Sequence, residues 1–185
     1  MKVGTAMKAR TLLIVAMSLI LTGALFVGAV NALGVTTAEA GKATLDNVRA
    51  YTPAIDEGSP SFAVDGGDLF VGAPGNWMSV KAPRNVIVNA VAIDPQREDV
   101  LYIGAANELA IYRSENAGQN WQRIPLTTDF VGGVTAIAVD GTQRLLYVGT
   151  DTAGLFRLRD VGSSVIVSGH LLLDEAIIDV VADSA

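Results

Sequence analysis

Three pairs of adjacent carboxylates are the first candidates for acid and base catalysis in this chain. They are Asp56-Glu57, Glu98-Asp99 and Asp174-Glu175. Neighbouring residues on an extended strand point to opposite faces, so the members of a pair do not converge on one substrate atom. His170 is the only histidine, and the chain has no Gly-x-Ser-x-Gly motif that would supply a serine nucleophile. The sequence therefore predicts no catalytic residues.

Metal and cofactor sites are also not predicted. The chain has no cysteine, which excludes disulfides and thiolate ligands. Asp65 and Asp68 flank two glycines, and Asp140 and Asp151 lie in comparable turns, but a complete calcium-binding loop is missing. A glycine-containing turn at residues 72–75 follows a predicted strand, yet no helix opens after it to bind a phosphate.

A motif of two short apolar strands around an aspartate turn recurs along the chain. It occupies residues 92–105 and 138–150, with a shorter copy at 63–73 and a stub at 181–183. The aligned aspartates, at positions 65, 94, 140 and 183, are separated by 29, 46 and 43 residues. A repeat of about 40–50 residues built from short strands is typical of β-propeller blades.

Each full repeat is expected to contain four strands. First strands are predicted at 86–93 and 134–139, second strands at 100–104 and 145–149, third strands at 110–113 and 154–158, and a fourth at 121–126. Such sheets have two apolar faces and must pack on neighbouring copies. The predicted fold is all-β, a partial or truncated β-propeller of about three four-stranded blades, preceded by an N-terminal hydrophobic helix.

The number of blades raises a question, because closed propellers typically have about 4 to 8. The predicted blade region, residues 61–185, holds at most three. The chain could be a truncated propeller, could complete a ring by self-association, or could form an open stack capped by a partner. A truncated or partner-completed propeller is favoured.

One turn carries a family resemblance. Residues 114–121, Ser-Glu-Asn-Ala-Gly-Gln-Asn-Trp, resemble the Asp-box (BNR) repeat of sialidase-like β-propellers, whose pattern is Ser-x-Asp-x-Gly-x-Thr-Trp. Ser114, Gly118 and Trp121 match, whereas Asn116 replaces the aspartate. The resemblance implies a structural turn in which Asn116 accepts backbone N–H groups two or three residues on, Gly118 supplies a positive φ, and Trp121 packs against the next sheet.

The other repeats are predicted to be degraded. The first keeps only Gly75-Asn76-Trp77 and is expected to lack a third strand, and the last is expected to have no box. Residues 171–181 could be helical by composition, but their match to the repeat favours a strand.

The same resemblance suggests an enzymatic alternative, a remnant of an extracellular glycoside hydrolase of the sialidase type. Those enzymes use an arginine triad and a tyrosine nucleophile. Arg123-Ile124-Pro125 matches the letters of a motif found in them, but it follows the box. Tyr102 and Tyr147 lie in the repeated strand and are expected in the core. No arginine constellation recurs across the repeats, so catalysis is not predicted.

The N-terminal segment predicts export. Lys2, Lys8 and Arg10 precede an uncharged stretch at residues 11–30, which is typical of a secretion signal and just long enough to cross a bilayer. Residues 1–32 are therefore predicted to be a cleaved signal peptide or a membrane anchor, and residues 33–60 a linker. Beyond residue 32, 10 Lys and Arg face 19 Asp and Glu, and this acidic balance argues against nucleic-acid binding.

These observations predict an exported, membrane-tethered, non-catalytic propeller module that binds a protein or glycan partner or associates with itself. The expected contact surface consists of inter-strand loops that include Asn107, Glu108, Phe130 and Asp151. Phe130 lies in the most apolar of these loops. Its alternative role is to pack between two blades.

Overall fold

The computed structural model describes residues 43–182, which form twelve β-strands and, within that range, no helix. The predicted N-terminal helix lies outside the described residues. Among residues 43–182, no helix is long and apolar enough to cross a membrane. In chain order the strands are β1 Val48–Thr52, β2 Ser61–Asp65, β3 Asp68–Ala73, β4 Asn76–Val80, β5 Val88–Asp94, β6 Arg97–Ala105, β7 Ala110–Ser114, β8 Gln122–Pro125, β9 Val134–Asp140, β10 Leu145–Thr150, β11 Leu155–Asp160 and β12 Val165–Leu171.

The strands form three four-stranded sheets in which each strand pairs antiparallel with the next one along the chain. Sheet A contains β1–β4, sheet B contains β5–β8 and sheet C contains β9–β12. Antiparallel neighbours need only short turns, and the glycines at residues 66–67 and 75 supply positive φ angles for two of them. The predicted all-β class and the four-stranded units are confirmed, and the arrangement is that of a partial propeller.

The sheets stack through two apolar cores. Sheet B buries both faces, because successive side chains of β6 point in opposite directions. Leu101 and Ile103 join the core shared with sheet A, whereas Tyr102 joins the core shared with sheet C. The first strands of the three sheets lie side by side, since β5 contacts both β1 and β9.

The first sheet differs from the sequence prediction. Residues 48–52, which the sequence analysis assigned to the linker, form β1 and pair with β2. Sheet A therefore has a third strand, and the repeat is shifted by one strand: Asp65 ends a second strand, whereas Asp94 and Asp140 end first strands. The sequence pattern of β1 is a weak indication of a strand, because Val48 and Tyr51 are exposed and only Ala50 packs against the core.

With the repeat shifted by one strand in sheet A, three glycines occupy equivalent positions in the three sheets. Gly67, Gly104 and Gly149 each lie at or just beyond the end of a second strand, facing a branched side chain that begins the next segment. A Cβ on Gly67 would lie 2.8 Å from Ile87 Cγ2, one on Gly104 2.3 Å from Val134 Cγ1, and one on Gly149 2.6 Å from Ile177 Cγ2. These close approaches require glycine.

The third of these contacts involves the tail, defined as residues 175–182. The tail follows β12 without forming a strand, so the strand predicted over residues 171–181 is wrong beyond Leu171. The tail is nevertheless attached to sheet C. The backbone N–H of Ile177 donates to the carbonyl of Thr150 at 2.8 Å, and the Thr135 hydroxyl donates to the carbonyl of Ile177.

Candidate functional site

Because the strands alternate in direction, the turns of the three sheets form two opposite rims. The box rim holds the turns that follow odd-numbered strands, including residues 115–121 and 161–164. The loop rim holds the turns that follow even-numbered strands, including residues 106–109, 126–133 and 151–154. The four predicted contact residues all lie on the loop rim, opposite the Asp-box-like turn.

Two of the predicted contact residues hold neighbouring loops together. The Asn107 side chain accepts from the N–H of Ile87 at 3.1 Å and donates to the carbonyl of Asn85 at 2.9 Å. Asp151 Oδ1 accepts from the N–H of Gly133 at 2.8 Å. Their polar atoms are thus engaged within the chain, which stabilises the loop rim.

Glu108 is paired across sheet B. Its Oε2 atom lies 2.5 Å from Arg123 Nη2, and Oε1 accepts from the hydroxyl of Tyr112. The hydrogen bond from Arg123, assisted by that of Tyr112, lowers the pKa of Glu108 against the smaller opposing effect of burial. Glu108 is therefore held as a carboxylate.

Phe130 packs against the core shared by sheets B and C. Its ring meets His170 edge to face with 6.2 Å between centroids, and His170 in turn stacks on Phe156 at 4.0 Å. The exposed apolar residue of this loop is its neighbour Val131, at 93% relative exposure. The sequence placed both residues in one apolar loop and gave no signal to distinguish them.

The Asp-box-like turn is organised by Ser114, which is buried. Ser114 Oγ accepts from the N–H of Gly118 at 2.8 Å and from that of Asn116 at 3.2 Å, and its hydroxyl donates to Asn116 Oδ1 at 3.0 Å. Asn116 Oδ1 also accepts from the N–H of Asn120 at 2.9 Å, four residues on. The turn requires positive φ at Ala117 and Gly118, 52° and 88°.

This turn packs on the preceding sheet, sheet A, so the expectation that Trp121 packs against the next sheet is wrong. Trp121 Nε1 donates to the carbonyl of Lys81 at 3.1 Å, and a Cβ on Gly118 would lie 2.7 Å from Val80 Cγ1. Beside the turn lies an open depression of about 230 Å³, lined by Arg113, Glu115, Asn116, Asn120, Trp121 and Gln122. The turn thus attaches sheet B to sheet A.

A second cluster, which the sequence analysis missed, joins sheets B and C. Asp160, at the end of β11, is buried, and its Oδ2 atom accepts from three side chains of sheet B. Tyr102 donates at 2.5 Å, Arg97 Nη2 at 2.7 Å and Arg113 Nε at 3.1 Å. The other oxygen, Oδ1, accepts from the N–H of Gly162 at 2.7 Å.

The chemistry of this cluster is that of a fixed carboxylate. Burial alone would raise the pKa of Asp160, but hydrogen bonds from Tyr102, Gly162 and Arg97, and the charge of Arg113, lower it below its usual range. Burial and the hydrogen bond to Asp160 raise the pKa of Tyr102. Asp160 therefore stays ionised, and Tyr102 stays protonated as its donor.

A sequence signal for this cluster existed. Asp160 and Gly162 have the spacing of Asn116 and Gly118, and Gly162 has a φ of 91°. The last repeat therefore keeps the aspartate and glycine positions of the box pattern, although a box was not expected there. Val165 lies where the tryptophan would be, and the loss of that tryptophan hid the match.

Comparison with known proteins gives matches only among solved structures. No known protein family matches the sequence, and no curated protein is detectably similar to it. A GH74 xyloglucanase from Xanthomonas campestris is similar in structure, with a TM-score of 0.53 and 24% identity over 69% of this chain and 21% of that one. An ancestral GH74 enzyme has a TM-score of 0.51 at 14% identity over 63% and 18% of the two chains.

A protein of unknown function from Bacteroides thetaiotaomicron matches with a TM-score of 0.51 and 17% identity, over 77% of this chain and 36% of that one. The chain thus spans between about a fifth and about a third of these structures. At such identities the comparisons support a β-propeller fold and nothing about activity. Among residues 43–182, no group of three or more His, Asp or Glu side chains could hold a metal ion.

Proposed function

We propose that this chain is an exported, membrane-tethered, non-catalytic propeller module of the Asp-box type that binds another protein outside the membrane. The observation that carries the proposal is the contrast between the middle and last sheets. Sheet B is covered on both faces, whereas exposed apolar side chains concentrate on β12 and the residues after it. They are Ile166, Val167, Leu171, Leu172, Leu173, Ile178 and Val181.

A concentration of exposed apolar residues is typical of an interaction surface. Ile166 and Leu171 are 49% and 46% exposed, although both lie in a paired strand. The loop-rim residues Asn107, Glu108 and Asp151 are engaged with neighbouring loops or strands. On the loop rim, the exposed Val131 remains available as an apolar contact. The main interaction surface is the one formed by β12 and the residues after it.

The test uses the full-length chain extracted in mild detergent from cells that express it. Size-exclusion chromatography with light scattering is expected to show a discrete complex larger than the monomer. The double variant Ile166→Lys/Leu171→Lys is expected to elute as a monomer. Val48→Lys is the matched control, because Val48 is also 49% exposed but lies in sheet A. A monomeric wild-type chain, or a complex that survives the double substitution, would overturn the proposal.

Export and tethering are supported by the basic start and the uncharged stretch at residues 11–30. A protease added to intact spheroplasts is expected to digest the part of the chain beyond residue 32. Protection of that part until the membrane is lysed would contradict export.

The alternative is a remnant of an extracellular glycoside hydrolase. It is favoured by the two GH74 enzymes described above, one of them a xyloglucanase. Release of reducing sugar from xyloglucan by the purified chain would support it. The expected result for the non-catalytic module is no release above that of buffer.

A further inference from the structure

Two cross-strand pairs occupy equivalent positions in sheets B and C. Tyr102 on β6 lies opposite Arg113 on β7, and Tyr147 on β10 lies opposite Arg157 on β11. Each pair joins the second and third strands of its sheet. Each tyrosine also belongs to a repeated strand, Leu-Tyr-Ile-Gly at 101–104 and Leu-Tyr-Val-Gly at 146–149.

In sheet B this pair binds a carboxylate of the following sheet. The Tyr102 hydroxyl and Arg113 Nε donate to the same oxygen of Asp160, which ends the third strand of sheet C. Charge-assisted hydrogen bonds of this kind are stronger than neutral ones. The interface between sheets B and C therefore shows what a Tyr-Arg pair at this position recognises.

In sheet C the equivalent pair points away from sheet B, so Tyr147, which was expected in the core, is only partly buried. Neighbouring side chains on a strand alternate, and Leu146 and Val148, on either side of Tyr147, are buried in the core shared with sheet B. Arg157 is exposed and makes only long hydrogen bonds of 3.4 Å to Ser168. Among residues 43–182, Arg157 has no ion pair and the Tyr147 hydroxyl has no hydrogen bond.

At the inner edge of the face of sheet C that points away from sheet B, the tail makes contacts like those between two neighbouring sheets. Ile177 of the tail faces Gly149 as Val134 of β9 faces Gly104. The Thr135 side chain donates to the carbonyl of Ile177, as the Asn89 side chain donates to that of Val134. The start of the tail thus lies against sheet C as β9 lies against sheet B.

We propose that the outer face of sheet C is the docking surface for a four-stranded sheet of another polypeptide, and that Tyr147 and Arg157 bind a carboxylate presented at the end of that sheet's third strand. The proposal rests on the proposed function and names the chemistry of the partner. The apolar residues Ile166 and Leu171 lie in the outer strand beside the pair and supply the surrounding contact area.

A second copy of the chain fits this surface poorly. The third strand of sheet A ends at Ala73 and is followed by Pro74 and Gly75, so it presents no carboxylate. Two copies joined through their sheets C would bring the exposed Arg157 and Arg159 of each against those of the other. The charge pattern therefore favours a different polypeptide with an acidic side chain.

The test places a photo-crosslinking amino acid at position 159 of the full-length chain, an exposed position on the same strand and face as Arg157, so that Tyr147 and Arg157 are both kept. The chain is produced in cells that make it naturally, and the cross-linked peptide is mapped by mass spectrometry. The expected adduct joins the chain to a different protein, through a segment that contains Asp or Glu at the end of a strand. Arg157→Gln is expected to reduce the yield at least about tenfold, because a hydrogen bond to a charged group is lost.

Arg49→Gln is the control, since it removes the same charge from an exposed strand position of sheet A, away from sheet C, and is expected to leave the yield within about twofold. The proposal is overturned by a cross-link to a second copy, by a cross-linked segment without a carboxylate, by equal yields with and without Arg157, or by no adduct. Light scattering of the Arg157→Gln chain separates the two proposals. If this variant still forms the complex and its cross-link yield equals that of the wild-type chain, this inference is overturned and the proposed function stands.

Discussion

The hydroxyl of Tyr102 donates a hydrogen bond 2.5 Å long to Oδ2 of Asp160, across the interface between sheets B and C. The two residues are 58 positions apart in the chain, and both are buried. Arg97 and Arg113 donate to the same oxygen, and among the described residues no buried side-chain polar atom lacks a partner. The sheets are therefore joined by a satisfied ionic network as well as by apolar packing.

Removing the charge of Asp160 is expected to destabilise the fold strongly. Asp160→Asn removes one of the two carboxylates that pair with the buried Arg113 and leaves only the exposed Glu115, and breaking a buried ion pair in this way costs up to about 3–5 kcal/mol of unfolding free energy. Urea unfolding followed by tryptophan fluorescence measures the change. Asp129→Asn, in an exposed loop, is the control and is expected to lie within about 0.5 kcal/mol of wild type. Equal midpoints for the two variants would show that the network does not join the sheets.

The same carboxylate predicts how stability depends on pH. The folded-state pKa of Asp160 is lowered, so its contribution is fully present above the pKa of an unfolded aspartate, about 3.9. As the pH falls through the lower folded-state pKa, the unfolded chain has already bound the proton and the contribution is lost. The stability of wild type relative to Asp160→Asn is therefore expected to decrease below about pH 4. A constant difference between pH 3 and pH 6 would contradict this.

The fold was predictable where the repeat is apolar and less so elsewhere. The strands around Asp94 and Asp140 are continuous β-branched runs that end in turn residues, and the structure contains them as β5 and β9. The strand β1 was missed because Val48 and Tyr51 face away from the core. Once β1 was missed, Asp65 was aligned with first strands although it ends a second strand.

The inter-sheet contacts were harder to predict than the strands. The Asp-box-like turn could be read locally, since Ser114, Asn116 and Gly118 interact within five residues. The Asp160 network could not, because its partners lie 47 to 63 positions away and only packing brings them together. Likewise, nothing in the sequence around Asp151 indicates that its carboxylate accepts a hydrogen bond from the backbone N–H of Gly133.

The Asp-box-like turn is expected to depend on its serine hydroxyl. Ser114→Ala removes the acceptor of two backbone N–H groups, and leaving buried donors unpaired costs about 1–3 kcal/mol. Chemical denaturation measures the loss. Ser79→Ala, on the exposed position of β4, is the matched control and is expected to change stability by less than about 0.5 kcal/mol. If both variants unfold at the wild-type midpoint, the turn does not contribute to stability.

The glycine at the end of each second strand is expected to determine how closely the sheets approach. Gly104 has no positive φ, so Gly104→Ala tests packing alone: its Cβ would lie 2.3 Å from Val134 Cγ1. Overpacking of this kind costs about 1–3 kcal/mol. Gly169→Ala is the matched control, because its nearest neighbour is the Arg157 guanidinium at 3.6 Å.

Thermal and urea unfolding of the two alanine variants measure the difference. The double variant Gly104→Ala/Val134→Ala is expected to be more stable than the sum of the single effects, since removing the Val134 methyl groups relieves the 2.3 Å contact and leaves only the one with Val134 Cβ at 2.8 Å. Additive effects, or equal stability of Gly104→Ala and Gly169→Ala, would show that the approach of β9 to sheet B is not limited by this contact. The same cycle on Gly149 and Ile177, where a new Cβ would lie 2.6 Å from Ile177 Cγ2, tests whether the tail packs on sheet C as β9 packs on sheet B.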